Sequence, residues 1–196
     1  MELILIRHGL PMRVQNTAGE PADPPLSEVG RDQAERMALW MQRERIDRLY
    51  SSPMQRAFQT AEPLARELGL GIELEPGAAE YDQHSDTYIP VEHLKELDYE
   101  RWRKLMRGEI EPDFGAFSNV VIETFERIVA DNPGRRVAVT CHGGVINVWA
   151  AHAIGFQPRF FFNPDYTSIN RFMCARSGER SVITLNEAVH LRSVQG

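Results

Sequence analysis

Residues 3–9, LILIRHG, decide how this chain folds, because a short apolar strand ends there in residues suited to chemistry. Four consecutive apolar residues, two of them β-branched, predict a strand that is buried on both faces of a sheet. Arg7, His8 and Gly9 follow this strand directly, at its carboxyl end. In open α/β sheets ligands bind at that end of the strands, so the sequence predicts a binding site here.

The same pattern returns late in the chain, where the apolar run 137–139 leads through Thr140 and Cys141 to His142 and two glycines. If the two strands lie side by side, His8 and His142 face each other across one pocket. Apolar strands alternate with helical patterns between these two points, which predicts an α/β protein whose sheet is covered on both faces.

Composition and charge limit the class of protein. A chain of 196 residues fits one domain, 1–196, around a single core. The net charge of −6 and the absence of a basic run argue against nucleic acid as a partner. No window approaches the ~20 apolar residues of a membrane span, and no secretion signal is evident. Cys141 and Cys174 do not suggest a disulfide framework, so we expect a cytoplasmic protein.

The first half of the chain predicts two helices and two further strands. Ser27 is a plausible N-cap for a helix with apolar residues at 34, 37, 38 and 41. A strand is expected at 46–50. Ser52 is then expected to cap a second helix with Pro53 at its first position, placing Arg56 in the first turn. That helix should end at the glycines 69 and 71, before a strand at 72–74.

The second half predicts a helical excursion and three more strands. Helices are expected at 91–106 and 117–130, with a break at 108–115, and the whole excursion, at about 82–132, is interpreted as a lid over the pocket. A strand should end at Thr140 and a helix should begin at His142-Gly143-Gly144. The segments 167–175 and 181–186 are then expected to be the last two strands.

Four sequence blocks resemble the histidine phosphatases, the phosphoglycerate mutase-like superfamily. They are 7–9 (RHG), 23–30 (DPPLSEVG), 51–61 (SSPMQRAFQTA) and 142–144 (HGG), in the order of the family. The resemblance implies a three-layer α/β/α sandwich with a mostly parallel sheet, in which the first and fourth strands are neighbours. Gly143 stands where the acid-phosphatase branch has an aspartate, so the chain is similar to the branch of mutases and small phosphatases.

The chemistry of these residues suits a phosphate ester. Arg7 and Arg56 offer planar forks that match phosphate oxygens. The helix that begins at Gly143 adds backbone N–H donors and a positive dipole end. A neutral imidazole can attack phosphorus, and the resemblance implies that His8 becomes phosphohistidine. It implies further that Arg7, Arg56 and His142 neutralise the charge of the transferring phosphoryl group.

The general acid is expected in the loop after the third strand, where the family carries a glutamate. Glu80 is the candidate, and it would protonate the leaving oxygen and then deprotonate the attacking water. The segment that follows departs from the pattern of the family, so Asp82 stays an alternative. We expect neither a metal nor another cofactor, because two arginines beside His8 and His142 would repel a metal cation.

The residues after Arg7-His8-Gly9 bear on the choice between phosphatase and mutase. The Trp-Asn of the mutases is missing here and the asparagine is displaced to Asn16, so Arg13 and Asn16 are only candidate substrate contacts. We expect a phosphatase that hydrolyses small phosphate monoesters of a phosphorylated metabolite. A phosphoglycerate mutase-type phosphoryl transfer and an inactive phosphate-binding protein are the alternatives. The sequence does not decide whether the protein forms a homo-oligomer.

Overall fold

A computed structural model describes residues 1–14, 19–89, 91–107, 109 and 114–192. A six-stranded sheet forms its centre, in the order β3-β2-β4-β1-β5-β6. The strands β1 to β4 are parallel, whereas β5 is antiparallel to both β1 and β6, so the mostly parallel sheet is confirmed. The six strands are Glu2–Arg7, Arg48–Ser51, Ile72–Leu74, Arg136–Cys141, Ile169–Cys174 and Arg180–Glu187.

Helices cover both faces of the sheet. Residues of α1 and α2 pack with Ile4 and Ile6 of β1, whereas residues of α5 and α6 pack with Leu3 and Leu5. Alternate residues of one strand therefore enter two different cores, as the uniformly apolar run predicts. The helices are Glu28–Met41 (α1), Gln55–Leu68 (α2), Val91–Leu97 (α3), Tyr99–Met106 (α4), Phe114–Asp131 (α5) and Gly143–Ala153 (α6). None of the described helices is both long and apolar enough to cross a membrane.

The pairing of β1 with β4 positions the two histidines. The strands run in register, with Arg7 opposite Cys141. The backbone N–H of His8 donates to the carbonyl of Cys141 at 2.9 Å, one residue before His142. The expectation that the first and fourth strands are neighbours is confirmed, and both histidines lie at the same edge of the sheet.

The start of α2 differs from the prediction. The helix begins at Gln55 with Met54 as its N-cap, so Ser52 is not the cap and Pro53 is not its first residue. The reason is that Met54 has an extended backbone (φ −68°, ψ 135°), so the Ser52 hydroxyl accepts from the N–H of Met54 ahead of the helix and also lies 2.8 Å from Nε2 of His142. Arg56 still falls in the first turn, and α2 ends as predicted at Gly69, which adopts a left-handed conformation with φ 64°.

The helical excursion also differs in detail. The single helix expected at 91–106 is two helices, because Asp98 ends the first and its Oδ1 accepts from the backbone N–H of Arg101 at 2.9 Å, capping α4. The later helix, α5, begins at Phe114 instead of residue 117. Its apolar residues, among them Phe125, pack in the main core against Trp149 of α6.

Candidate active site

His8 lies at the end of β1 with its ring almost completely buried. Its Nδ1 is 2.8 Å from the carbonyl oxygen of Gly9. Because a carbonyl can only accept, Nδ1 carries the proton and Nε2 keeps its lone pair. Burial and the nearby charges of Arg56 and Arg7 hold the pKa of His8 well below its usual range. His8 is therefore a neutral imidazole with a free nucleophilic nitrogen.

His142 lies beside His8, with the centroids of the two rings 5.1 Å apart. Burial and the charge of Arg56 also hold the pKa of His142 well below its usual range. The Ser52 hydroxyl accepts from the N–H of Met54 at 3.3 Å and lies 2.8 Å from Nε2 of His142, so its proton is available to Nε2. With Ser52 as the donor, the proton of His142 is on Nδ1, which has no hydrogen-bond partner among the described residues.

Arg56 is fully buried in the first turn of α2. Its Nη2 donates to Oδ1 of Asp82 at 3.2 Å, and its guanidinium lies 4.5 Å from the ring centroid of Tyr88. Nε and Nη1 are buried and have no partner in the described part of the chain. A buried cation with unused donors is costly unless a ligand supplies acceptors, so this side of Arg56 is suited to an anion.

Arg7 is held from the opposite side of the pocket. Its Nη1 donates to the carbonyl of Pro164, and its guanidinium stacks 4.1 Å from the ring centroid of Tyr166. The Tyr166 ring also lies 5.8 Å from the ring of His8. A single tyrosine therefore contacts both residues that follow the first strand.

Glu80 is the buried carboxyl group of the site. Its Oε2 accepts from the backbone N–H of Gly144 at 2.8 Å and its Oε1 from that of Tyr81 at 3.1 Å. Burial, followed by the negative charge of Asp82, raises the pKa of Glu80 to about 7. A carboxyl group with this pKa can give up and take back a proton near neutral pH, as an acid–base catalyst must.

Asp82 occupies a different position. Its side chain is 22% exposed and pairs with Arg56 at the mouth of the pocket. Its Oδ2 accepts no hydrogen bond from the described residues. The two carboxylates that the sequence left as alternatives thus have distinct surroundings: Glu80 is buried at the N-terminus of α6, whereas Asp82 is held by a cation and reaches solvent.

His8, Arg7, Arg56, Glu80 and Asp82 line one pocket with a volume of about 50 Å³. His142 is fully buried beside His8 and is not part of that lining. Gly143 is part of the lining, at the first residue of α6. Arg13 is exposed and does not line it. Asn16 lies outside the described residues. The full lining comprises Arg7, His8, Arg56, Glu80, Tyr81, Asp82, Tyr88, Ile89, Gly143, Gly144, Asn147, Phe160, Phe162, Asn163 and Pro164.

Sequence reasoning did not find three residues that organise this pocket: Ser52, Tyr166 and Asn147. Asn147 of α6 is buried, and its side chain donates to the carbonyl of Phe162 and accepts from the N–H of Phe161, which fixes the aromatic segment beside the pocket. A polar residue in the otherwise apolar run of α6 is a signal that could have drawn attention to Asn147. Ser52 was noticed as a cap, and nothing in the sequence singles out Tyr166.

The charged groups next to the two histidines are cations. In the part of the chain that the structure describes, no group of three or more His, Cys, Asp and Glu side chains is placed to hold a metal ion. The charges of Arg7 and Arg56 act on both His8 and His142 and would repel a metal cation there. The geometry is suited to an anion.

The fold and the pocket define a class of protein: an α/β sandwich in which two histidines and two arginines are buried together at the carboxyl edge of a mostly parallel sheet. The chain belongs to the histidine phosphatase superfamily (branch 1), whose family model matches residues 3–187. The family predicted from the four sequence blocks is therefore confirmed.

Relatives and solved structures agree with this assignment. Phosphoserine phosphatase 1 of Hydrogenobacter thermophilus is 34% identical over 108 residues, which cover 52% of this chain and 50% of that protein, about half its length. A probable phosphatase of Schizosaccharomyces pombe is 26% identical, with 98% of this chain and 96% of that protein covered. The crystal structure of phosphoserine phosphatase from Entamoeba histolytica with 3-phosphoglyceric acid has the same fold, with a TM-score of 0.77 at 23% identity over 97% of this chain and 99% of that one.

Proposed function

We propose that this protein is a phosphatase that hydrolyses small phosphate monoesters through a phosphohistidine intermediate on His8. The observation that carries the proposal is the juxtaposition of a neutral, nucleophilic His8 with two buried arginines and with Glu80, whose pKa is raised to about 7. The phosphatase names of the relatives support the same reaction class.

The first step forms the phosphoenzyme. Nε2 of His8 attacks phosphorus, the ester P–O bond breaks, and the protonated carboxyl of Glu80 gives its proton to the leaving oxygen. Arg7, Arg56 and Nδ1–H of His142 donate to the phosphoryl oxygens, where charge is concentrated during the transfer. The backbone N–H groups at the start of α6 add a positive dipole end to the same pocket.

The second step regenerates the enzyme. Glu80, now a carboxylate, takes a proton from a water molecule as that water attacks phosphorus, and the P–N bond to His8 breaks. Inorganic phosphate leaves, and Glu80 is again protonated. We propose that no metal ion takes part, since the arginines and His142 supply the positive charge that a metal would otherwise provide.

The location and partners follow from the same reasoning. Cys141 and Cys174 are buried and unpaired, which supports a reducing compartment such as the cytoplasm. The net charge of −6 supports a small phosphorylated metabolite, held by local cations, over nucleic acid as the ligand.

The test of this proposal is the His8→Ala variant. Quenching the wild-type protein during turnover of a radiolabelled phosphate ester should trap a label that acid removes and base does not, as expected of phosphohistidine. His8→Ala should lose both label and turnover while keeping the far-UV circular dichroism spectrum of the wild type. A His8→Ala variant that hydrolyses p-nitrophenyl phosphate at a near wild-type rate would contradict the proposal. A bisphosphoglycerate-primed assay separates hydrolysis from mutase activity.

A further inference from the structure

The lining of the pocket changes in character between its floor and its opening. The floor is buried and holds the groups assigned above to the phosphoryl group. The outer part, which we call the rim, consists of the lining residues with partly or fully exposed side chains. The rim residues are Tyr81, Asp82, Ile89, Phe162 and Asn163. The leaving group is expected to lie against this rim, because the rim is the part of the lining that reaches solvent. Tyr81 of the rim also directly follows Glu80, the proposed proton donor to the leaving oxygen.

Asp82 is the charged residue of the rim. One of its oxygens accepts from Nη2 of Arg56 at 3.2 Å, and its Oδ2 accepts no hydrogen bond from the described residues. Arg56 keeps Nε and Nη1 unpartnered in the described part of the chain. The guanidinium can therefore bind a phosphate with these nitrogens while Asp82 stays in place, and Oδ2 of Asp82, a residue of the pocket lining, is left available to the leaving group.

The cation that pairs with Asp82 is Arg56, and the described rim itself contains no lysine or arginine. The arginines of the described lining are Arg7 and Arg56, and both are buried at the floor. The residues outside the description, 15–18, 90, 108, 110–113 and 193–196, include no lysine or arginine in the sequence. Burial and the charge of Glu80 raise the pKa of Tyr81, and the charge of Arg101 in α4 opposes this rise. Arg101 does not line the pocket.

We propose that Asp82 determines specificity: it favours phosphate monoesters whose leaving group is neutral or carries an ammonium group, and it disfavours those whose leaving group carries a second anion. This inference rests on the proposed phosphatase function. The physical reason is that an ammonium group beside Oδ2 of Asp82 is attracted, whereas a carboxylate at the same place is repelled and meets no lysine or arginine of the described rim. The aromatic rings around it add apolar contact area that suits the carbon part of the leaving group.

The experiment compares three two-carbon esters of similar size that differ in charge: O-phosphoethanolamine (ammonium), 2-hydroxyethyl phosphate (neutral) and 2-phosphoglycolate (carboxylate). We expect kcat/KM of the wild type to be on the order of tenfold higher for O-phosphoethanolamine than for 2-phosphoglycolate, with the neutral ester between them. In Asp82→Asn that ratio should fall by about fivefold or more. The intrinsic reactivities of the esters are the same for both proteins, and an effect of Asp82→Asn on Arg56 acts on every ester. Both effects therefore largely cancel when the ratio of the two kcat/KM values is compared between the wild type and Asp82→Asn.

Asp86→Asn is the matched control, because Asp86 is an exposed carboxylate of the same loop that does not line the pocket. It should keep the wild-type ratio. An unchanged ratio in Asp82→Asn, or a wild-type preference for 2-phosphoglycolate, would overturn the role of Asp82. If Arg101→Gln removes a preference for 2-phosphoglycolate, Arg101 receives the leaving group instead. Turnover of p-nitrophenyl phosphate is the separate readout of the proposed function. If the protein hydrolyses p-nitrophenyl phosphate but Asp82→Asn leaves the ratio unchanged, only the role of Asp82 is overturned. If the protein hydrolyses neither p-nitrophenyl phosphate nor the other esters, both proposals are overturned.

Discussion

At the level of single residues, Glu80 shows how two backbone N–H groups and burial shape the chemistry of one carboxyl. The donors from Gly144 and Tyr81 hold its oxygens in a defined direction. Burial opposes its ionisation, and the negative charge of Asp82 adds to this effect. The result is an acid that is protonated below about pH 7 and ionised above it.

The proposed role of Glu80 predicts a dependence on the leaving group. Glu80→Gln should lose on the order of a hundredfold or more in kcat on an alkyl phosphate, because the leaving alkoxide needs a proton. On p-nitrophenyl phosphate the formation of phosphoenzyme should suffer much less, and phosphoenzyme should accumulate because its hydrolysis still lacks a base. Rapid-quench measurement of the trapped label checks this. If Asp82→Asn accumulates phosphoenzyme and Glu80→Gln does not, the acid–base role belongs to Asp82.

The pKa of Glu80 also predicts how stability depends on pH. Its pKa rises from about 4.5 in the unfolded chain to about 7 in the folded protein, so the stability that it contributes is present at low pH and is lost as the pH rises through 7. Relative to Glu80→Gln, the wild type should lose roughly 2–3 kcal/mol in free energy of unfolding between about pH 5 and about pH 8.5. Denaturant unfolding of both proteins at the two pH values measures this. A constant difference would show that Glu80 ionises normally.

Ser52 is the residue that assigns the proton of His142. Ser52→Ala leaves Nε2 of a buried imidazole without its partner, so we expect about a tenfold loss in kcat/KM and a similar loss in vanadate affinity. Ser51→Ala is the matched control, because Ser51 is equally buried but its hydroxyl donates to the carbonyl of Ser52, 2.8 Å away, and not to His142. Equal losses in both variants would indicate a packing effect and contradict the assignment.

At the level of elements, the N-terminus of α6 and the loop that carries Glu80 depend on each other. A Cβ at Gly144 would lie 2.2 Å from Oε1 of Glu80, too close for the carboxyl to keep its place. Because alanine is a better helix former than glycine, the helix itself should tolerate the change. The first turn of α6 therefore needs glycine for the position of the acid and not for the conformation of the helix.

This contact predicts the behaviour of Gly144→Ala. The variant should keep its circular dichroism spectrum but lose on the order of a hundredfold in kcat on an alkyl phosphate, with a smaller loss on p-nitrophenyl phosphate, because Glu80 is displaced. Gly71→Ala is the control, since no heavy atom lies within 4 Å of the corresponding Cβ. Full activity of Gly144→Ala on the alkyl ester would mean that Glu80 can act from another position.

At the level of the whole molecule, the sheet collects cationic groups from distant parts of an acidic chain. The net charge is −6, yet the pocket floor contains Arg7 and Arg56 with the neutral His8, and the neutral His142 is buried next to His8. The segment before α3 contributes Tyr88 and Ile89 to the pocket lining. The interpretation of this excursion as a lid stays a prediction. Part of that excursion, α5, belongs to the outer layer of the sandwich.

The charge of the pocket floor predicts inhibition by anions without a metal. Vanadate and inorganic phosphate should compete with a phosphate ester, and extensive treatment with a chelator should leave kcat unchanged, because arginine N–H groups bind the phosphoryl oxygens. Steady-state kinetics with and without the anions, before and after chelation, measure both effects. Activity that a chelator abolishes and zinc or magnesium restores would contradict the metal-free mechanism.

The sequence alone determined the class of fold and the residues of the pocket floor. Apolar runs predict strands, and a parallel sheet brings their carboxyl ends to one edge, so Arg7, His8 and His142 are expected at the same edge. The resemblance implied that the first and fourth strands are neighbours. The resemblance added Arg56 and Glu80. Helix boundaries were less accurate, because a residue such as Ser52 is a local signal, whereas the backbone conformation of Met54 after it decides where the helix begins.

The tertiary structure decided which polar groups meet. Ser52 and His142 are 90 positions apart in the chain, Glu80 and Gly144 are 64 apart, and Arg7 and Pro164 are 157 apart. Such contacts have no periodic signature in the sequence, because each depends on the order of the strands and on how the connecting loops pack. The same reason explains why the sequence left Glu80 and Asp82 as alternatives: they are two residues apart in the chain, and only the packed loop buries one and leaves the other at the rim.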